Sequence, residues 1–105
     1  MNNTSQHQPK KNKFYVATSI AYANAKPHIG YAMELIQADT LARYAKEQGK
    51  ETFFLTGTDE HGQKLLDAAN EAGQEPLVFV NEQSETFVRL AKQLNLSNDY
   101  FIRTT

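Results

Sequence analysis

Cysteine is absent from the 105 residues. That excludes a disulfide framework and any thiolate zinc site, and it fits a reducing, cytoplasmic setting. An excess of charge is missing too. The 11 Lys and Arg set against 12 Asp and Glu leave a net charge of −1, which excludes nucleic-acid binding by bulk electrostatics and leaves only local contacts with RNA. No apolar run approaches the ~20 residues of a membrane-spanning helix, so no membrane partner is expected. Residues 1–12 have neither the apolar stretch of a secretory signal nor the arginines of an organellar transit peptide, and they read as a disordered polar tail. Internal repeats are lacking as well. With 40% hydrophobic residues, the segment 13–105 has the composition of one ordinary globular domain and is too short for two.

Proline and glycine are few, at 3 and 5, and most fall where the hydrophobic period changes. Residues 14–20 (Phe-Tyr-Val-Ala-Thr-Ser-Ile) are aromatic and β-branched without alternation, which predicts a strand buried on both faces of a parallel sheet. From 31 to about 48 the period becomes helical. Ile29, Met33, Ile36, Leu41 and Ala45 fall at core spacing, with Asp39 and Arg43 as an i,i+4 pair on the solvent side. Gly49 supplies the stop. Residues 52–55, bounded by Gly57, predict a second strand, and a strand–helix–strand unit of this length places the two strands parallel. A polar turn over 56–62 follows, then a helix over 63–72 ended by Gly73. Pro76 opens a third helix with an apolar stripe of Val80, Phe87, Ala91 and Leu94, stopped at Asn95. Residues 100–102 read as the start of a third strand. The fold class is α/β, a doubly wound parallel sheet in the order βαβαα followed by that strand.

Chemistry concentrates in the two polar turns. Pro27 holds the backbone extended before His28, and Gly30 lets a ligand approach at the start of a helix. Outward amides and the helix dipole there favour a phosphate, with His28 at the mouth. In open parallel sheets, ligands sit outside the carboxyl ends of the strands. Both turns lie at such ends, so His28, Asp59 and His61 are expected in one pocket. Plainer roles compete: His28 and Asp59 as helix caps, and Tyr22 as a core aromatic. Asp59, Glu60 and His61 are too close in sequence to converge on one ion, so no metal site is expected.

Taken together, certain residues resemble the methionyl-tRNA synthetases, a family of class I aminoacyl-tRNA synthetases. They are Phe14-Tyr15-Val16, Tyr22-Ala23-Asn24, Pro27-His28-Ile29-Gly30, Gln37-Ala38-Asp39, Ala42-Arg43-Tyr44, the run 53–62 (Phe-Phe-Leu-Thr-Gly-Thr-Asp-Glu-His-Gly) and the closing Phe101-Ile102-Arg103-Thr104-Thr105. The resemblance covers about 13–105 and implies a Rossmann-like nucleotide-binding fold. It also implies formation of methionyl-adenylate from methionine and ATP with magnesium, then transfer to tRNA(Met). The implied ATP-binding residues are His28, Gly30, Tyr31 and Glu34, of which His28, Gly30 and Tyr31 form the catalytic motif. The implied methionine-binding residues are Ile20, Ala21, Tyr22, Asp59 and His61, with Asp59 on the ammonium group.

Two positions depart from the family pattern. Tyr31 stands where the motif ends in a second histidine, and Ala21 stands where a proline usually precedes the Tyr-x-Asn stretch. A phenol offers one hydrogen bond but no positive charge near neutral pH. Relative to the family, the chain is expected to be the N-terminal half of the catalytic domain. The Lys-Met-Ser-Lys-Ser loop, the insertion in which zinc is implied, and the anticodon domain then lie elsewhere, and the segment alone is expected to be inactive. The rival readings are a small nucleotidyltransferase and a stand-alone nucleotide-binding module. The first does not account for the Gly-Thr-Asp-Glu-His-Gly loop, and the second should cover the sheet edge at 100–102.

Overall fold

The structure, a computed structural model, describes residues 12–104; the polar tail expected over 1–12 lies outside the described residues apart from Asn12. The elements run β1 (Lys13–Ala17), β2 (Ala21–Tyr22), α1 (Ile29–Glu47), β3 (Glu51–Asp59), α2 (Gln63–Glu71), α3 (Pro76–Gln93) and β4 (Tyr100–Arg103). All four strands form one parallel sheet centred on β3. Leu55 pairs with both Ala17 and Tyr100, and Thr58 with both Ala21 and Arg103. One residue cannot bond two strands on the same edge, so β1 and β2 run in line along one edge of β3 and β4 along the other. The α/β class and the parallel crossover follow the sequence pattern.

The helices end where their punctuation says. Gly49 and Gly73 adopt positive φ (80° and 68°) just past α1 and α2, and Asn95 does the same (52°) past α3. This left-handed residue turns the chain out of a helix, and glycine and asparagine tolerate it best. Pro76 sits in the first turn of α3, where its missing N–H costs nothing.

Several expectations are corrected. First, the N-terminal strand is not covered on both faces. It stops at Ala17, residues 18–20 leave regular structure, and Ala21–Tyr22 form the short β2 inside what reads as a turn. The helices cover the face carrying Val16 and Phe54, while Tyr15 on the other face is 61% exposed and stacks on Phe53, with ring centroids 5.9 Å apart. Second, Gly57 does not end the second strand, because β3 continues to Asp59. A Cβ on Gly57 would overlap the Ile102 carbonyl, so glycine here serves the close approach of β4. Third, the core stripe of α1 is Leu35, Ala38, Asp39, Ala42 and Ala45; of the expected stripe Ala45 is buried, whereas Ile29, Met33, Ile36 and Leu41 are exposed. The helix has two apolar stripes, and small alanines let it lie close on Phe54 and Val16.

Asp39, expected on the solvent side, is buried. It accepts from Arg43 Nε (2.8 Å), from the Ser97 amide (2.7 Å) and from the Ser97 hydroxyl (2.6 Å). Burial pushes its carboxyl up, but these hydrogen bonds outweigh burial and hold it below the usual range. One polar residue thereby ties α1 to the turn that leads into β4. A second apolar cluster, Ala23, Leu65, Ala69, Phe79 and Val80, packs α2 and α3 together beneath the first loop. Among the described residues, no helix is long and apolar enough to cross a membrane.

Candidate active site

Two loops meet the carboxyl edge of the sheet. The first begins in the irregular link between β1 and β2. Thr18 stays on the ladder through its amide to the Leu55 carbonyl (3.1 Å) and shares a hydroxyl bond with Thr56 (2.7 Å). Glu34 reaches back from α1 and accepts from both the amide and the hydroxyl of Ser19, at 2.8 Å each for Oε2. The Glu34 carboxylate expected at the nucleotide is thus bonded to Ser19, and the neighbouring Ile20 is 37% exposed.

From there Ala21 and Tyr22 pair with Thr58 and Asp59, and the Ala23 amide donates to the Asp59 carbonyl (3.0 Å). The two loops are stitched side by side. Tyr22 packs against the Ala23–Leu65–Ala69 cluster, as a core aromatic would, and a Cβ on Gly62 would run into its hydroxyl. Gly62 has φ 126°, so only glycine serves both the turn and this contact.

The first helix starts two residues earlier than its periodicity suggests, because His28 is its N-cap. Its backbone is extended (φ −117°, ψ 172°) and its Nδ1 accepts from the Gly30 amide at 3.1 Å. Its carbonyl takes the Tyr31 amide as well (3.1 Å). The amides expected to face a phosphate are thus partly turned onto His28 itself. What the cap presents instead is the imidazole: an accepting Nδ1 puts the proton of the neutral ring on Nε2, which becomes a donor. A Cβ on Gly30 would lie 3.0 Å from His28 Cε1, so this glycine makes room for the ring.

Tyr31 lines the same cavity as His28, but its hydroxyl is turned inward. Its hydroxyl lies 3.3 Å from Thr56 Oγ1 and 3.4 Å from the Gly57 carbonyl, facing the sheet, and its ring meets Phe87 of α3 edge-on at 5.4 Å. Burial raises the phenol above its ordinary value.

At the end of β3 the chain alternates. Asp59 Oδ1 takes the His61 amide and the Thr104 hydroxyl, both at 3.4 Å, and Asp59 caps no helix, since α2 is capped by Gly62 without a side-chain bond. Glu60 turns the other way and its side chain is fully buried. Its Oε2 accepts from Thr58 (2.7 Å), Ser84 (2.6 Å) and Arg103 Nε (2.7 Å), and its Oε1 accepts from Arg103 Nη2 (2.8 Å). Burial pushes the Glu60 carboxyl up, but Arg103, Ser84 and Thr58 outweigh it and hold the group below the usual range. This network joins β3, α3 and β4 and has little local sequence signal: Thr58 is two residues from Glu60, but Ser84 and Arg103 are 24 and 43 residues away.

The expected single pocket is divided. His28 lines a cavity of 260 Å³ with Ala21, Tyr22, Lys26 and Tyr31, while His61 lines a different, largely apolar one of 540 Å³ between α2 and α3 with Leu65, Leu66 and Leu77. Asp59 lies between the two loops at the strand end.

Comparison with known proteins places this arrangement. The family model described as tRNA synthetases class I (M) matches residues 14–105. The methionine–tRNA ligase of Thermotoga maritima is 57% identical over 93 residues, which cover 89% of this chain and 15% of that protein. That of Rhizobium meliloti is 52% identical over 92 residues, covering 88% and 18%. Among solved structures, Mycobacterium tuberculosis methionyl-tRNA synthetase bound by methionyl-adenylate superposes with a TM-score of 0.86 at 44% identity, covering 90% of this chain and 19% of that one. A leucyl-tRNA synthetase complex from Agrobacterium radiobacter reaches 0.85 at 26% identity, covering 92% and 13%. The chain therefore spans less than a fifth of the length of these relatives. With the whole of 14–105 matched and the two loops stitched together at the carboxyl edge of a parallel sheet, the chain belongs to the class I tRNA synthetases of the methionyl type.

Proposed function

We propose that these residues are the first part of the catalytic domain of a methionine–tRNA ligase. The observation that supports this most directly is the capped helix at His28 beside the Asp59 turn, in a chain 57% identical to a methionine–tRNA ligase. In the first step the methionine carboxylate attacks the α-phosphorus of ATP. The bond to the bridging oxygen breaks, and pyrophosphate leaves with methionyl-adenylate formed. In the second step a hydroxyl of the tRNA acceptor end attacks the methionyl carbonyl and releases AMP. Neither step requires a protein nucleophile, so the protein contributes position and charge.

His28 Nε2–H donates to a phosphate oxygen as negative charge builds. Asp59 holds the methionine ammonium, an ionised acceptor matched to a cation. Ile20, Ala21 and Tyr22 offer apolar and aromatic surface to the thioether. His61 joins the site through its backbone, which fixes Asp59. Magnesium arrives with the triphosphate, and the protein works in the cytoplasm.

The test is pyrophosphate exchange into ATP by the full-length gene product. Exchange that depends on methionine, and runs far more slowly with leucine, is expected. Equal exchange with leucine overturns the substrate assignment, a real alternative because the leucyl enzyme shares the fold.

A further inference from the structure

Asp59 has no ion-pair partner among the described residues, and the strand alternation that buries Glu60 leaves Asp59 on the opposite side. Its carboxylate has two neutral donors within reach, each at 3.4 Å, and both face the same oxygen, Oδ1. One is the His61 amide in its own turn. The other is Thr104, just past β4 and 45 residues away in sequence. The Thr104 hydroxyl has little freedom. It accepts the Glu60 amide at 2.8 Å, so its single proton is left for Asp59. The Thr104 amide donates to the Thr58 carbonyl (3.3 Å) and carries the β4 ladder one residue further. Its neighbour Arg103 is fixed on Glu60 through two nitrogens.

We propose that Thr104 is a positioning residue: it fixes Oδ1 of Asp59 so that Oδ2 is presented to the ammonium group of the amino-acid substrate. The inference rests on the reading of Asp59 as the ammonium-binding group. The buried Glu60–Arg103 pair then acts as the anchor that brings Thr104 to the end of β3.

The experiment compares Thr104→Val, which keeps the shape and loses the hydroxyl, with Thr104→Ser, which keeps the hydroxyl. Both are made in the full-length gene product and read by methionine-dependent pyrophosphate exchange. For Thr104→Val the methionine KM is expected to rise about tenfold, the scale of one hydrogen bond to a charged group. The ATP KM should stay within about twofold, and Thr104→Ser should restore the methionine KM. In an Asp59→Asn background the same Thr104→Val step should change the methionine KM much less, because coupled residues are not additive. An unchanged methionine KM in Thr104→Val overturns the proposal. So does a rise in both KM values that Thr104→Ser fails to restore, since that marks a merely structural role. If Thr104→Val does not fold, Thr104→Ala carries the same expectations. A wild-type protein without methionine-dependent exchange overturns the reading of Asp59 and this inference with it.

Discussion

The Nδ1 of His28 accepts the Gly30 amide at 3.1 Å, so the residue that caps α1 is also the one at the mouth of the proposed phosphate site. Capping and function are not rivals in this residue. They use different nitrogens, and the cap sets which nitrogen carries the proton.

This separation can be tested with His28→Asn. Asparagine is among the best N-cap residues, so stability should change by less than about 1 kcal/mol. It brings no donor at the position of Nε2. Pyrophosphate exchange should therefore fall by about 10²–10³-fold, the usual cost of removing one donor to developing charge. Thermal unfolding beside the exchange assay checks both. Activity that survived would show that the histidine only caps.

Gly57→Ala addresses the sheet. A Cβ at this position would overlap the Ile102 carbonyl, so β4 must move away from β3. A loss of about 3 kcal/mol is expected, at the upper end for overpacking. Gly49→Ala is the control at a glycine with nothing within 4 Å of an added Cβ. It should lose only the smaller cost of a positive φ. Urea unfolding of the two variants ranks them, and equal losses would show that β4 does not depend on this approach.

Much of this was legible in the sequence because local chemistry dictates it. Gly49, Gly73, Pro76 and Asn95 mark helix ends through their own backbone preferences, and the parallel crossover follows from element lengths. The stripe of α1 was misread because the helix carries two apolar faces, and only tertiary contact shows that Ala38 and Ala42 take the inner one. Position in the motif marked Tyr31 as a site residue but could not show what its side chain touches. Its hydroxyl faces Thr56 and Gly57, and its ring faces Phe87, a partner 56 residues away. Glu60 was missed because Arg103 and Ser84 are joined to it only by the fold.

Asp59→Asn isolates charge from shape. The amide keeps an oxygen for Thr104 and His61 but loses the negative charge proposed to face the substrate ammonium. The methionine KM should rise by about 10- to 100-fold, as for losing a hydrogen bond to a charged partner. The ATP KM should hardly move. Steady-state exchange with each substrate varied in turn decides this, and a methionine KM equal to wild type would remove Asp59 from the site.

Acid sensitivity should trace to the two buried carboxylates. Glu60 and Asp39 both have folded values depressed below their ordinary 4.5 and 3.8. A depressed carboxylate contributes stability that is fully present above the unfolded value and is lost as pH falls through the folded one. Stability should therefore be level down to about pH 5 and decline below it as both groups take up protons. Glu60→Gln deletes one of the two contributions. It leaves Arg103 without its anion, and because that side chain is 37% exposed the cost at pH 7 is set at about 3 kcal/mol, the low end for breaking a buried pair. The decline below pH 5 should become shallower without vanishing, because Asp39 still has Ser97 and Arg43. Urea unfolding at a series of pH values measures both quantities. If Glu60→Gln kept the full wild-type slope, the acid sensitivity would belong to other carboxylates, and the Glu60 network would be only a neutral hydrogen-bonded clamp.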